Sequence, residues 1–143
     1  MFLLLFIVYT NPYAEINQFL DSWHQAAAEA RELDYFAKLA EDAVFLGTDA
    51  TERWSKLEFQ KYAHPYFAQG KAWLFKATRR AVILSSDRNL AWFDEDLETE
   101  KMGKCRGSGV LKRVNSEWKI VHYNLSLTIP NEKMGLVQKV LGK

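Results

Sequence analysis

Between residues 12 and 30 the apolar positions Ile16, Phe19, Leu20, Trp23, Ala27 and Ala30 recur every three or four residues, the spacing of a helix with one buried face. Asn11 can cap that helix, and Pro12 suits its first turn, where a backbone amide would lack a partner anyway. Asp34 can cap a short second helix through Tyr35, Phe36 and Leu39, after which Ala43 to Leu46 reads as a brief strand stopped at Gly47. Ser55 and Glu58 have capping-box spacing and open a third helix carrying Phe59, Tyr62, Ala63 and Tyr66; Pro65 is expected to kink or end it. From Ala72 onward the pattern turns to period two or to β-rich runs, with turn signals at Ser85 to Asn89, at Met102-Gly103 and at Asn115-Ser116. A four-strand meander is expected, its last three strands being Leu90 to Thr99, Lys104 to Val114 and Trp118 to Ile129. Pro130 stops the last strand, and Met134, Val137, Val140 and Leu141 suggest a closing helix. Helices first and antiparallel strands afterwards make an α+β domain with amphipathic helices covering one face of the sheet.

At 143 residues the chain is long enough for one domain with a real core, taken as residues 15–143 behind an apolar extension, 1–14. The run Met1 to Tyr9 is apolar throughout but shorter than the roughly 20 residues a membrane-spanning helix needs. It matches a signal peptide poorly: no Lys or Arg precedes it, and cleavage after Ala14 would put Pro12 where a small residue is wanted. If retained, it needs a dry surface to lie on, and a subunit interface is one. A cytoplasmic location is favoured, with export left open by this segment.

Aromatic residues make up 14% of the chain and 19 basic residues balance 18 acidic ones without any basic block, so no footprint for nucleic acid exists. The lone Cys105 excludes an internal disulfide and a cysteine-rich zinc site. No paired histidines near a carboxylate, phosphate loop or nucleophile elbow occurs, so neither a metal nor a cofactor is implied.

The segments EDAVFLGTDATERW, LAWFDEDLE, CRGSGVLKR and WKIVHYNLSLTIPN resemble the nuclear transport factor 2-like superfamily, in its SnoaL-like branch, over roughly residues 15 to 131. The resemblance implies a cone-shaped α+β barrel, a strongly curved antiparallel sheet covered by the N-terminal helices, frequently a homodimer, with a cavity between sheet and helices. Relatives include ketosteroid isomerase, scytalone dehydratase and polyketide cyclases. In the isomerase pattern the catalytic base would fall near Gly47 and the second acid near Gly109. Neither glycine can move a proton, so that reaction is disfavoured unless Asp49 swings into the cavity.

Strand parity puts Trp118, Ile120, His122, Asn124 and Ser126 on one face of the last strand and Val121, Tyr123, Leu125 and Leu127 on the other. The resemblance assigns the first set to the pocket, and the apolar second set, a hazard if left in water, is expected to form a homodimer interface. His122 is then the candidate general acid or base, with Asp94 or Asn124 orienting it; a core histidine satisfied by neighbours is the competing reading. Arg106 is a fork for an anionic ligand group or a buried partner for Asp94, and phase alone leaves open whether Asp94 or Glu95 faces inward. Trp92, Ser108 and Trp23 join the candidate ligand contacts; Asp49, with Thr48 and Glu52 in the loop after the first strand, could touch ligand at the mouth of the cone, but the turn that GTDAT predicts is the default reading. His24 and His64 read as surface residues, and Gly107 and Gly109 as a bend or a close backbone approach. Two functions remain: a pocket holding a small, largely apolar molecule without changing it, or a cofactor-independent isomerase, lyase or cyclase using His122.

Overall fold

The computed structural model describes residues 11–142, so the apolar run of residues 1–9, with its signal-peptide and interface readings, lies outside the described residues. Helix α1 (Pro12–Ala28) is capped as expected, the Asn11 side chain accepting from the Tyr13 amide, and it turns Ile16, Leu20, Trp23 and Ala27 into the core. Just past its end, Ala30 has a φ of 54°, which keeps the chain from continuing the helical path. Helix α2 (Glu32–Ala37) starts two residues before the expected cap, so Asp34 sits in its first turn and pairs with Arg31. Strand β1 (Leu39–Leu46) is longer than its apolar run. The three-residue β2 (Arg53–Ser55), too short to show a period, pairs antiparallel to it. Helix α3 (Lys56–Ala68) opens with the expected capping box and runs on through Pro65. Phe67, buried one turn further along beside Phe59 and Ala63, holds that last turn to the core.

Strands β3 (Lys76–Leu84), β4 (Leu90–Thr99), β5 (Gly103–Val114) and β6 (Glu117–Leu127) form the antiparallel meander, and β1 joins parallel to β6. The result is one six-stranded sheet in the order β2-β1-β6-β5-β4-β3, with a single 3₁₀ turn and α4 (Met134–Val140) after it. Ala91, Phe93, Glu95 and Leu97 on β4, with Cys105 and Leu111 on β5, are buried on one face, toward the apolar stripe of α1 and the rings of α3. Each large apolar side chain buried there, Leu20, Phe59 or Ile120, contributes about 1.5–3 kcal/mol relative to exposure.

One irregularity decides what the sheet presents. Val110 faces His122 and Leu111 faces Ile120, so Val121 is an extra residue in β6 with no partner on β5. Because side chains alternate strictly, one extra residue turns over everything beyond it. Trp118 and Ile120 are buried before the bulge, and Tyr123 and Leu125 after it. The expectation from uninterrupted parity is therefore corrected: Tyr123 and Leu125 face the helices, and His122, Asn124 and Ser126 lie on the opposite, outer face. Deleting Val121 should close the bulge and leave every other side chain of β6 on its present face, since the Leu111–Ile120 and Val110–His122 pairs then follow one another without a gap; the packed state should persist, read as retained aromatic near-ultraviolet circular dichroism. Loss of that signal would show that Val121 is not the extra residue and that the two faces are set otherwise.

Candidate functional site

The inner face of β4 carries Glu95, which is 0% exposed and settles which of the neighbouring acids faces inward. A buried carboxylate is tolerated only when paired and hydrogen-bonded. His24 of α1 places Nε2 2.8 Å from Oε1, and the Tyr123 hydroxyl donates to the same oxygen at 2.9 Å. Arg80 of β3 donates through Nε to Oε2 at 2.8 Å, while its Nη2 lies 2.8 Å from that oxygen but off the bonding direction. Through Nη1, Arg80 also reaches Asp21 at 2.8 Å and Asn17 at 3.2 Å. Gly107 stands opposite Glu95 on β5 because a Cβ there would overlap the Tyr123 hydroxyl, so the paired glycines mark the close approach their spacing suggested.

Burial pushes the Glu95 carboxyl up, but the hydrogen bond and charge of His24, followed by Arg80, outweigh it and hold the group below the ordinary carboxylate value. Burial, then the Glu95 charge, pushes the Tyr123 phenol well above its usual range, so it remains a donor. Both Glu95 oxygens are thus occupied. Chemically the cluster is a closed ion pair with a phenol cap, and it has no oxygen left over to take a proton from a substrate.

The residues singled out from the sequence are brought together elsewhere. Trp92, Val110, His122 and Val44 form one cross-strand row of the outer face, and Asp94, Ser108, Asn124 and Leu46 the next. This overturns their placement between sheet and helices, and the cause is the bulge for β6 and plain alternation for β4 and β5. Arg106 faces Asp96 across the ladder and pairs with it at 3.4 Å, rather than with Asp94. Asp94 is instead held by Arg79 at 2.6 Å, and hydrogen bonds from Arg79, more than from Arg106, keep the Asp96 carboxyl low. Asn124 donates to Ser126 at 3.0 Å. Trp23 does lie inside, 1% exposed, stacked 5.0 Å from Tyr35 and edge-on to Tyr123 at 4.8 Å, as a core ring. Asp49 is a turn residue whose Oδ1 accepts from the Thr51 hydroxyl and amide, which lower its carboxyl. His24 is buried rather than on the surface; it directly follows Trp23 and lies one turn after Leu20 on the buried stripe of α1, a signal the pattern carried. His64 is exposed and pairs with Glu32 at 2.9 Å.

A cavity of about 190 Å³ opens where the β1–β2 turn, α3, the segment before β3 and the β4–β5 turn meet. Phe45, Trp54, Phe59, Tyr62, Trp73 and Phe75 wall it, with Leu125 and Met102, and its polar groups come from Thr48 and Glu52. The rings are mutually packed: Phe45 on Phe59 at 3.9 Å, Trp54 on Tyr62 at 4.5 Å, Phe59 on Trp73 at 5.9 Å. Phe75 meets the His24 ring at 6.3 Å and Phe45 meets Tyr123 at 5.4 Å, which puts an aromatic layer between the cavity and the Glu95 cluster. The Tyr62 phenol is pushed up to about 12, first by its interaction with Tyr66, then by partial burial and by the charge of Glu52, so it is neutral at physiological pH. Two roomier depressions, of about 500 and 400 Å³, have walls rich in charged side chains such as Arg31, Asp34 and Lys38 in the first and Glu98 and Lys104 in the second. Sequence reasoning missed Trp54, Trp73 and Phe75, which lie in or beside segments with no regular period, whereas Thr48 and Glu52 stand at the mouth where the loop after the first strand suggested.

Among the described residues no three His, Cys, Asp or Glu side chains come together to hold a metal ion, and no helix is long and apolar enough to cross a membrane. The SnoaL-like domain family matches residues 16–130. Curated proteins give no match. Among solved structures, a nuclear transport factor 2-like protein of unknown function from Pseudomonas putida superposes with a TM-score of 0.70 at 16% identity, over 84% of this chain and 89% of that one. A putative ketosteroid isomerase from Parabacteroides distasonis gives 0.67 at 14%, over 88% and 94%. A putative scytalone dehydratase from Novosphingobium aromaticivorans gives 0.68 at 10%, over 82% and 84%. At these identities the likeness is one of fold.

The Glu95 cluster makes a pH prediction. A carboxyl held low in the folded state contributes stability that is complete above its unfolded value, near 4.5, and is lost as pH falls through the depressed folded value. Glu95→Gln should cost about 3 kcal/mol at neutral pH, the low end for a broken buried pair because Arg80 keeps Asp21. The variant should also lose stability less steeply than the parent below pH 4.5. Urea melts across that range check both; equal acid slopes would mean that Glu95 does not carry the titration.

Proposed function

The chain belongs to the SnoaL-like domain family, a branch of the nuclear transport factor 2-like superfamily whose scaffold fixes no single chemistry, and from the site we propose that it is a small-molecule binding protein using the aromatic mouth cavity. The observation that carries this reading is the separation of functions: the cavity is lined by rings, while the one fully buried carboxylate is saturated behind them. At about 190 Å³ the space is smaller than the roughly 300–1,000 Å³ of pockets for drug-sized ligands, so its occupant is a molecule of one or two rings. The alternative, acid or base catalysis by His122, finds less support, since that side chain belongs to the outer-face row with Trp92 and Val110.

A neutral two-ring probe, 2-naphthol, should bind and raise the melting temperature, by mass action about 2.7 kcal/mol at a hundredfold excess over its Kd. Trp54→Ala should weaken that binding at least tenfold, about 1.4 kcal/mol, whereas His122→Gln should leave it unchanged. Loss of binding in His122→Gln with none in Trp54→Ala would reverse the assignment and favour the His122 reading.

The partner proposed beyond a ligand is a second copy of the chain. Trp92, 46% exposed, and Ile83, 51% exposed, continue the row through Val110 and Val44, an apolar belt that water alone covers poorly. Tyr123 and Leu125, expected in that interface, face inward, so the belt replaces the earlier row. Sedimentation at micromolar concentration should give a dimer, and Trp92→Asp should convert it to monomer; a monomeric parent chain rules the interface out.

A further inference from the structure

The wall of the mouth cavity carries one formal charge, and that charge is negative. Glu52 contributes a carboxylate, and among the described residues no Lys, Arg or His lines the space. The β1–β2 turn fixes it there. The Gly47 amide donates to the Glu52 carbonyl at 2.9 Å, and the Asp49 amide donates to Oε2 at 3.1 Å. Gly47 itself is required, because a Cβ at that position would overlap Glu52 Oε2. Neighbouring carboxylates are satisfied within their own turns, Asp49 by Thr51 and Glu58 by Ser55. For Glu52, by contrast, no Lys, Arg or His comes within ion-pair distance among the described residues, and the Asp49 amide on Oε2 is the donor its carboxylate receives there. Its charge reaches the cavity side of α3, since it helps to raise the Tyr62 phenol.

A half-buried carboxylate without a cationic partner, set against aromatic rings, discriminates by charge. An anion entering the space would meet repulsion in a region of reduced dielectric, while a cation would gain the ion pair and the attraction of the ring quadrupoles. We propose that the natural occupant of the mouth cavity is a small organic cation, an aryl- or alkylammonium compound, whose ammonium seats against Glu52 and whose apolar body lies among Trp54, Tyr62 and Trp73. This rests on the pocket reading above and names its ligand class. It also removes the expectation of an anionic ligand group held by Arg106, which stands on the other side of the sheet.

Three probes of one ring system and different charge test it: tryptamine, 3-methylindole and indole-3-propionate, titrated calorimetrically into the full chain. Tryptamine should bind at least about tenfold more tightly than 3-methylindole, and indole-3-propionate more weakly than either. Raising the salt from about 50 mM to about 500 mM should weaken tryptamine and leave 3-methylindole nearly unaffected. Glu52→Gln keeps an acceptor for the Asp49 amide and should reduce tryptamine affinity about tenfold more than it reduces that of 3-methylindole. Equal affinities for tryptamine and 3-methylindole in the parent chain, or tighter binding of indole-3-propionate, overturn the cation assignment and leave the pocket reading in place. Failure of all three probes to bind overturns both.

Discussion

The inside of this protein is organised around one buried charge. Glu95 sits on the second strand of the meander with no exposure, and the chain brings it an arginine from the preceding strand, a histidine from the first helix and a phenol from the last strand. Removing water from a carboxylate costs several kcal/mol, so these contacts are conditions for the fold as much as gains from it. They also tie together segments far apart in sequence: His24 lies 71 residues from Glu95. The absence of a side chain at Gly107 is part of the same arrangement, because the space a methyl would occupy is taken by the Tyr123 hydroxyl.

The bulge at Val121 is what makes this possible. Were Val121 to take a regular ladder position instead, Tyr123 would point away from Glu95 and the carboxylate would lose its phenol, while His122 would enter an aromatic core. With it, the sheet has one face of rings and one buried cluster, and another face carrying Trp92, His122 and the Arg79, Asp94, Asp96 and Arg106 charges. The two glutamates Glu95 and Glu52 then have opposite situations. The first is fully satisfied and sealed behind Phe45 and Phe75, whereas the second is held by one amide at the rim of an open aromatic cavity. In the proposed reading a visiting molecule meets the second.

Much of the architecture was legible in the residues. The buried stripe of α1, its Asn11 cap, the Ser55–Glu58 capping box and the turns of the meander are local signals, and the structure repeats them. The α+β class and the family followed from their order. The candidate site was much less legible, for reasons that are physical. A bulge built on valine has no glycine or proline to announce it, and a single unannounced residue inverted the reading of His122, Asn124, Tyr123 and Leu125. Asp94 and Glu95 alternate in a strand whose two faces both hold polar groups, so periodicity could not choose between them. The cavity wall draws Trp54 from a three-residue strand and Trp73 and Phe75 from a segment without regular structure, where no period exists to read. His24 was the exception, since its place beside Trp23 and one turn after Leu20 already marked the buried face.

The five tryptophans of the chain stand in different parts of it, which lets one spectrum test where a ligand goes. Trp54 and Trp73 wall the mouth cavity, Trp23 packs on Tyr123 beside the Glu95 cluster, Trp92 lies on the outer face, and Trp118 borders the charged depression. Titrating 2-naphthol while following the indole amide resonances by ¹⁵N–¹H correlation should shift Trp54 and Trp73 and leave Trp92 and Trp118 in place, with Trp23 nearly still. Shifts concentrated on Trp23, or on Trp92, would contradict the separation of the binding cavity from the buried carboxylate on which this account rests.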